Sequence, residues 1–206
     1  MIQPGAPFWK VGSNLGSGLV LFANHRVRCP IAQSTSNMHS SLHLGYLPGC
    51  IGRIAELHAR YYHEQVGFGV QFESKVAREL AAFCERYDDS RDGLWLALID
   101  NVVHGSLVID GAQRDQAGAH LRWFITSDSA RGKGIGNSLL ATALEFCRAQ
   151  GCARVYLWTF EGLLPARHLY EKFGFKLMHQ QTGRQWGSEV NEQRFECLIA
   201  SPLDKD

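Results

Sequence analysis

The clearest chemical signal in the chain is a glycine-rich segment at residues 131–137, RGKGIGN. Its three alternate glycines lie between a predicted strand and the start of a predicted helix. Because glycine has no side chain, the backbone can approach a ligand there, and consecutive N–H groups can converge on one anion. The helix adds unpaired N–H groups and the positive end of its dipole. The segment predicts a pyrophosphate site, although a turn without a ligand would show the same residues.

Two common phosphate-binding motifs do not fit this segment. A P-loop needs Ser or Thr directly after Gly-Lys, and here Gly134 follows Lys133. A dinucleotide-binding fingerprint needs GxGxxG next to the strand and an acidic residue about 20 positions further on. Here the spacing is GxGxG, and Cys152 stands 20 residues after Gly132. We therefore set both motifs aside.

Hydrophobic periodicity predicts the elements that position this segment. A helical repeat of apolar residues predicts helices over residues 51–64, 72–87, 136–150 and 164–173. Alternating, aromatic or branched runs predict strands over residues 41–47, 94–99, 102–109, 120–126, 154–160, 175–179 and 194–199. Asp100 and Asn101 indicate a hairpin between two of these strands. The predicted fold is one mixed α/β domain with the order β-α-α-β-β-β-α-β-α-β-β.

The composition argues against several classes of protein. With 21 basic and 20 acidic residues the net charge is +1, whereas nucleic-acid binders usually show a basic excess on one face. The six cysteines form no CxxC pair and none lies at zinc spacing from a histidine, so no metal site is expected. Scattered cysteines of this kind predict reduced thiols in a cytoplasmic protein. No apolar run approaches the roughly 18 residues of a membrane span.

The first 40 residues differ in composition from the rest of the chain. They are rich in Gly, Ser, Asn and Pro and show no sustained period. They predict a loose N-terminal extension, with one short strand near residues 19–23 as an option, or else a wrongly chosen translation start. The domain itself is expected to span residues 41–206.

Two motifs resemble the GNAT superfamily of N-acetyltransferases. Residues 131–136 are similar to its R/Q-x-x-G-x-G/A signature, and residues 169–175, LYEKFGF, resemble its LYEKxGF segment. The two motifs occur in the expected order and spacing, and the resemblance covers residues 41–199. Within the superfamily the chain is similar to the acetyltransferase half of proteins that fuse a MarR-type DNA-binding domain to such an enzyme. Residues 1–40 are too few for that DNA-binding domain.

The resemblance implies a GNAT-like central sheet flanked by helices, and acetyl-CoA as the co-substrate without a metal. It implies that backbone groups of Phe124, Ile125 and Thr126 hold the pantetheine arm and the acyl carbonyl. It places the pyrophosphate against Arg131, Gly132, Lys133, Gly134, Ile135, Gly136 and Asn137. It also implies that Tyr170 donates a proton to the departing thiolate, since a phenol with an ordinary pKa near 10 is protonated at neutral pH. The alternative interpretation is that Tyr170 is an aromatic residue of the hydrophobic core.

The chain departs from the family pattern at two positions. Many members carry Asn seven residues before this tyrosine, where this chain has Leu163, so one cofactor contact is in doubt. Some members use a Glu as general base on the strand after the central helix, where this chain has Trp158. The remaining candidates for the base, none of which the sequence singles out, are Glu73, His120, Glu161, Glu189 and Glu192.

The aromatic residues on both sides of the expected site allow two interpretations. Trp123, Trp158 and Phe160 are expected in the core, with lining of the acceptor pocket as the alternative. The residues Tyr61, Tyr62 and His63 face either the acceptor groove or solvent.

The expected function is transfer of an acetyl group from acetyl-CoA to a primary amine on a small molecule or a protein. No nucleic-acid or membrane partner is expected, and a homodimer is one expected assembly. Two other functions fit the same residues. A non-catalytic acyl-CoA sensor would bind CoA without turnover, and an interaction module would not bind CoA at all.

Overall fold

The structure is a computed structural model that describes residues 40–199 of the 206-residue chain. The strands are β1 (Ser40–Leu44), β2 (Gly93–Ile99), β3 (Val102–Asp110), β4 (Ala119–Thr126), β5 (Arg154–Phe160), β6 (Lys176–Gly183) and β7 (Val190–Leu198). The helices are α1 (Cys50–Val66), α2 (Val70–Glu85), α3 (Ile135–Ala149) and α4 (Leu164–Lys172), with a 3-10 turn at Asp128–Ala130. The predicted order of elements is therefore confirmed. Residues 1–39, with the strand considered near residues 19–23, lie outside the described part.

The last hairpin is the main difference from the predicted boundaries. Strand β6 continues to Gly183 and β7 already begins at Val190, so both strands are longer than expected. Most of β6 is exposed, and its sequence KLMHQQTG carries no alternation of apolar and polar residues. It is nevertheless held by backbone pairing with β7, as in the pair Thr182 and Asn191. A strand exposed on both faces leaves no hydrophobic pattern from which its length can be predicted.

The sheet has the strand order β1-β2-β3-β4-β5-β7-β6, and each of its two faces carries its own hydrophobic core. Strand β2 shows why, because successive side chains point to opposite faces. Trp95 and Ala97 pack in the core beneath α3, whereas Leu94 and Leu96 pack in the core beneath α1 and α2. This continuous apolar strand is therefore buried on both sides, as is typical of the centre of an α/β domain.

The central feature of the sheet is a split between β4 and β5, the only parallel pair among the described strands. These strands pair only at Ala119 with Val155 and at His120 with Tyr156. Beyond these two pairs the strands separate, so the edge of β4 from residue 121 onward has no strand partner on this side. The split creates a gap in the middle of the domain.

A bulge in β4 lies beside this gap. The pairing with β3 shifts register between Ser106 and Val108, and Trp123 adopts a φ of 43°. The hydroxyl of Ser106 donates a hydrogen bond of 2.7 Å to the carbonyl oxygen of Trp123. A positive φ in a bulky residue is unusual and persists only where the surroundings hold it. The bulge changes the direction of β4 as it enters the gap.

Two features are absent from the described part of the chain. Within residues 40–199 no helix is long and apolar enough to cross a membrane. The same residues contain no group of three or more His, Cys, Asp or Glu side chains arranged to hold a metal ion.

Candidate active site

The glycine-rich segment forms the start of α3, as its spacing predicts. Gly132 and Gly134 have φ values of 73° and 78°, a conformation that glycine adopts without strain. Gly134 is the N-cap of the helix, and the first helical hydrogen bond runs from the N–H of Ser138 to its carbonyl at 3.0 Å. The N–H groups of residues 135–137 therefore have no partner within the helix. They are available to an anion at this end of the helix dipole.

A cleft of about 470 Å³ begins at this helix end and extends toward the split in the sheet. We call it the long cleft. It brings together every predicted site residue except Lys133, namely Phe124, Ile125, Thr126, Arg131, Gly132, Gly134, Ile135, Gly136, Asn137 and Tyr170. Helices α1 and α4 complete its walls with Tyr61, Tyr62, Leu163 and Lys172, among others. The end of β4, a helix N-terminus and two further helices thus converge on one elongated site.

Cationic side chains lie at the outer part of the long cleft. The guanidinium of Arg131 lies 4.5 Å from the ring centre of Tyr61 and pairs with Asp128. The ammonium of Lys172 donates a hydrogen bond of 2.7 Å to the side-chain oxygen of Asn137. These cations stand beside the free N–H groups of α3, so this end of the cleft suits a phosphate-containing ligand.

Tyr170 lies at the inner end of the long cleft, packed against aromatic rings of the core. Its ring centre is 6.1 Å from that of Phe124 and 5.9 Å from that of Phe175. Burial raises the pKa of Tyr170 above its usual value, and Tyr62 nearby acts in the same direction. The phenol therefore keeps its proton at neutral pH. Among residues 40–199 its hydroxyl makes no hydrogen bond, so the proton is available to a ligand.

A second and smaller cavity, of about 150 Å³, adjoins the long cleft. We call it the aromatic cavity, because its walls include Tyr62, Phe72, Trp123, Phe124, Trp158, Phe160, Tyr170 and Trp186. Tyr62, Phe124 and Tyr170 line both spaces, so the two meet at these three rings. Two elements that are distant in sequence, α1 and the β6–β7 loop, contribute Tyr62 and Trp186.

The charged groups of the aromatic cavity are joined in ion pairs. Glu79 forms ion pairs with Lys75 and with Arg122. Burial raises the pKa of Glu79, but these two cations outweigh it and hold the pKa below the usual range of a carboxyl group. Burial, with Arg122 nearby, lowers the pKa of His120 to about 3, so this imidazole is neutral at pH 7. The cavity is thus aromatic, with the neutral His120 and an ion-pair cluster in its wall.

The structure separates the five candidates for a base. Glu73, Glu161 and Glu189 are exposed, and none of them lines either space. Glu192 is buried, but its carboxylate accepts two hydrogen bonds from Gln185 in the β6–β7 loop. Of the five, only His120 lines the aromatic cavity.

The structure also places the aromatic residues for which the sequence allowed two interpretations. Trp123 and Phe160 are buried in the hydrophobic core, Trp158 is half-buried, and all three line the aromatic cavity. Tyr61 and Tyr62 line the long cleft, whereas the neighbouring His63 is exposed.

Sequence reasoning missed several residues of the aromatic cavity, among them Trp186 in the β6–β7 loop and His58, which lines the cavity from α1. The sequence signal of His58 is its position four residues before Tyr62, which places both on one helix face. At Leu163, where many GNAT members carry Asn, the structure has a buried apolar side chain on the wall of the long cleft.

Comparison with characterised sequences gives two partial relatives. N-acetyltransferase 8B of Homo sapiens is 32% identical over 87 residues, which is 42% of this chain and 38% of that protein. Glucosamine 6-phosphate N-acetyltransferase of Trypanosoma brucei brucei is 35% identical over 66 residues, 32% of this chain and 43% of that protein. The matched region thus spans less than half of either relative.

Solved structures match over a larger part of the chain. An acetyltransferase from Streptococcus agalactiae 2603 superposes with a TM-score of 0.61 at 19% identity, covering 78% of this chain and 98% of that one. The structure of yncA from Salmonella typhimurium with its cofactor acetyl-CoA gives 0.60 at 15% identity, covering 82% and 98%. These likenesses confirm the predicted fold class. The sequence model of the acetyltransferase (GNAT) family matches residues 52–175, and the chain therefore belongs to that family.

Proposed function

We propose that this protein transfers an acetyl group from acetyl-CoA to a primary amine. The proposal rests on one observation: the long cleft and the aromatic cavity meet at Tyr170, where β4 and β5 separate. The long cleft has the free N–H groups and cations that suit a pyrophosphate, and the aromatic cavity has a wall of aromatic rings. A donor in the long cleft and an acceptor in the aromatic cavity would meet at this tyrosine.

The long cleft suits the donor along its whole length. The start of α3 would hold the pyrophosphate, with Arg131 and Lys172 beside it. The unpaired edge of β4 at residues 124–126 would offer backbone groups to the pantetheine arm and a donor to the acyl carbonyl oxygen. Bound acetyl-CoA supplies an activated thioester. Lys133 does not line the long cleft, so no contact with the donor is assigned to it.

Tyr170 would act as the general acid of the reaction. The amine nitrogen forms a bond to the acetyl carbon, the carbon–sulfur bond breaks, and the sulfur leaves with its electron pair. The phenol of Tyr170 then gives its proton to that sulfur. The free hydroxyl at the junction of the two spaces favours this role over that of a core aromatic alone.

The aromatic cavity favours a small amine with a flat apolar body as the acceptor. Stacking on tryptophan and tyrosine rings stabilises such a body. Within the described residues, the cations of the cavity wall both pair with Glu79, and Arg122 also lies 3.6 Å from a carboxylate oxygen of Asp110. These existing ion pairs of Lys75 and Arg122 disfavour a phosphorylated acceptor. The same ion pairs leave no free carboxylate for the second ammonium of a polyamine.

The test begins with acetyl-CoA binding by calorimetry. Gly134→Glu places a carboxylate and a strained φ at the start of α3 and should abolish binding. Gly151→Glu is the matched control, because Gly151 also has a positive φ and open space but follows the other end of α3. Equal binding by both variants, or no binding by the wild type, would contradict the assigned cofactor site.

The second stage is a screen of amines with detection of the free thiol of CoA. Because an aromatic pair contributes up to about 1.5 kcal/mol, phenylethylamine and tryptamine should be turned over about tenfold more efficiently than spermidine or glucosamine 6-phosphate. Tight acetyl-CoA binding with no turnover of any amine would instead assign the protein as an acyl-CoA sensor.

A further inference from the structure

His58 is a buried histidine whose ring lines the aromatic cavity. It lies on α1 with 5% of its surface exposed. Its ring stacks on that of Tyr62, one turn further along the helix, at 6.1 Å between centres and 24° between planes. Tyr62 is one of the three rings at which the aromatic cavity meets the long cleft. His58 therefore stands one aromatic ring away from the junction.

The backbone of α1 determines which nitrogen of this ring carries the proton. Nδ1 lies 2.8 Å from the carbonyl oxygen of Ile54. A carbonyl oxygen only accepts hydrogen bonds, so Nδ1 must be the protonated nitrogen and donate. Burial lowers the pKa of His58 to about 4, so the ring is neutral at pH 7. Nε2 then carries the lone pair, and no other hydrogen bond reaches this ring from residues 40–199.

We propose that Nε2 of His58 is the proton acceptor for the amine in the aromatic cavity. The inference rests on the proposed function and supplies the base that the sequence left unassigned. His58 combines four properties: a fixed tautomer, burial, a neutral ring and a position on the wall of the acceptor space.

The proton balance of the reaction is complete with this residue. The neutral form of the amine attacks, and its ammonium proton has been lost to solvent beforehand. As the nitrogen bonds to the acetyl carbon it becomes positively charged, and its remaining protons become more acidic than before the attack. A weak base such as a buried imidazole can therefore take one of these protons at this stage. His58 receives it on Nε2, Tyr170 gives a different proton to the leaving sulfur, and both residues return to their starting forms by exchange with solvent.

Two other polar groups of the cavity are weaker candidates. The carboxylate of Glu79 is shared between Lys75 and Arg122, so taking a proton would disrupt two ion pairs. His120 stacks on Tyr156 at 4.4 Å and lies at the last residue pair of β4 with β5. It also lines a separate cavity beyond that pair. It is thus at the floor of the split, whereas His58 is next to a ring of the junction.

The test uses His58→Gln, whose amide N–H can still donate to the carbonyl of Ile54. His63→Gln is the matched control, because His63 lies on the same helix, also bonds a backbone carbonyl and lines neither space. The assay is release of the CoA thiol with phenylethylamine or the best amine of the screen. General bases contribute about 100-fold to 10,000-fold, so we expect turnover to fall about 100-fold with unchanged acetyl-CoA affinity.

A second variant separates chemistry from packing. His58→Ala leaves a space in the cavity wall, and added imidazole should restore part of its turnover. Wild-type turnover in His58→Gln, a joint loss of turnover and acetyl-CoA affinity, an unfolded variant, or no rescue of His58→Ala would each overturn the inference. A wild type that acetylates no amine would remove the proposed function itself, which the screen reports independently.

Discussion

The rings of His120 and Tyr156 stack face to face at 4.4 Å, with 12° between their planes. They are also the last residue pair that joins β4 to β5. On one side of the stack the sheet is continuous, and on the other side the strands separate into the aromatic cavity and the long cleft. The stack therefore marks the floor of the split on which the proposed reaction depends.

This arrangement predicts a pH-dependent loss of stability through His120. Its pKa is about 3 in the fold, below the ordinary value of about 6.5, so the unfolded chain binds the proton more readily. The free energy of unfolding is therefore highest above pH 6.5 and falls as the pH drops toward 3. At pH 5 the loss should be about 2 kcal/mol.

His120→Phe tests this by keeping a ring on Tyr156 while removing the titrating group. Thermal melts between pH 7 and 5 should show a shallower decline in the variant than in the wild type. Tyr156→Phe retains the histidine and should keep the wild-type decline. Parallel declines in all three proteins would contradict the prediction.

Tyr170→Phe should reduce turnover while leaving the fold and the cofactor site intact. The change removes only the hydroxyl, which makes no hydrogen bond within residues 40–199 and supplies the proposed proton. We expect kcat to fall about 100-fold, the low end of the usual contribution of a general acid. Calorimetry should give an acetyl-CoA affinity within about twofold of the wild type.

The exposed Tyr46 gives the control, since Tyr46→Phe should behave like the wild type. The raised pKa of Tyr170 also predicts a pH profile. The acid must be protonated to act, so kcat should show no fall up to about pH 10, where an ordinary tyrosine ionises. A fall in kcat below pH 9, or a Phe variant with full activity, would contradict the assignment.

Gly183→Ala should weaken binding of the amine through the β6–β7 loop. A Cβ at Gly183 would lie 2.2 Å from the carboxyl carbon of Glu192 and displace that side chain. Glu192 holds the loop by accepting hydrogen bonds of 3.0 and 2.9 Å from Gln185. The adjacent Trp186 packs on Phe160 at 5.5 Å and lines the aromatic cavity.

We therefore expect a several-fold rise in KM for the amine and an unchanged affinity for acetyl-CoA. The measurements are steady-state kinetics and calorimetry on the same preparations. Gly52→Ala is the control, because a Cβ there meets nothing within 4 Å and the residue lies in a helix. An increase in KM with Gly52→Ala, or none with Gly183→Ala, would exclude the loop as a determinant of acceptor binding.

Most of the fold followed from local patterns. The repeat of apolar residues in α3, the glycines before it and the LYEKFGF segment depend on contacts between residues close in sequence. Such contacts produce a period or motif that can be read directly. The order of elements and the start of α3 were therefore predicted correctly. The exposed edge strand β6 was the exception, because it buries no face and its length depends on pairing with β7.

The candidate site, like the fold, could be predicted from the sequence only in part. The residues at the start of α3 follow from sequence alone, since one short segment contains them. The aromatic cavity does not, because its walls come from α1, α2, α4, β4, β5 and the β6–β7 loop. His58 and Trp186 are 128 positions apart and carry no shared pattern. His58 and Trp186 come to line one cavity only because β4 and β5 separate beside it. The position of that separation depends on packing between elements that are distant in sequence, and not on a local conformational preference.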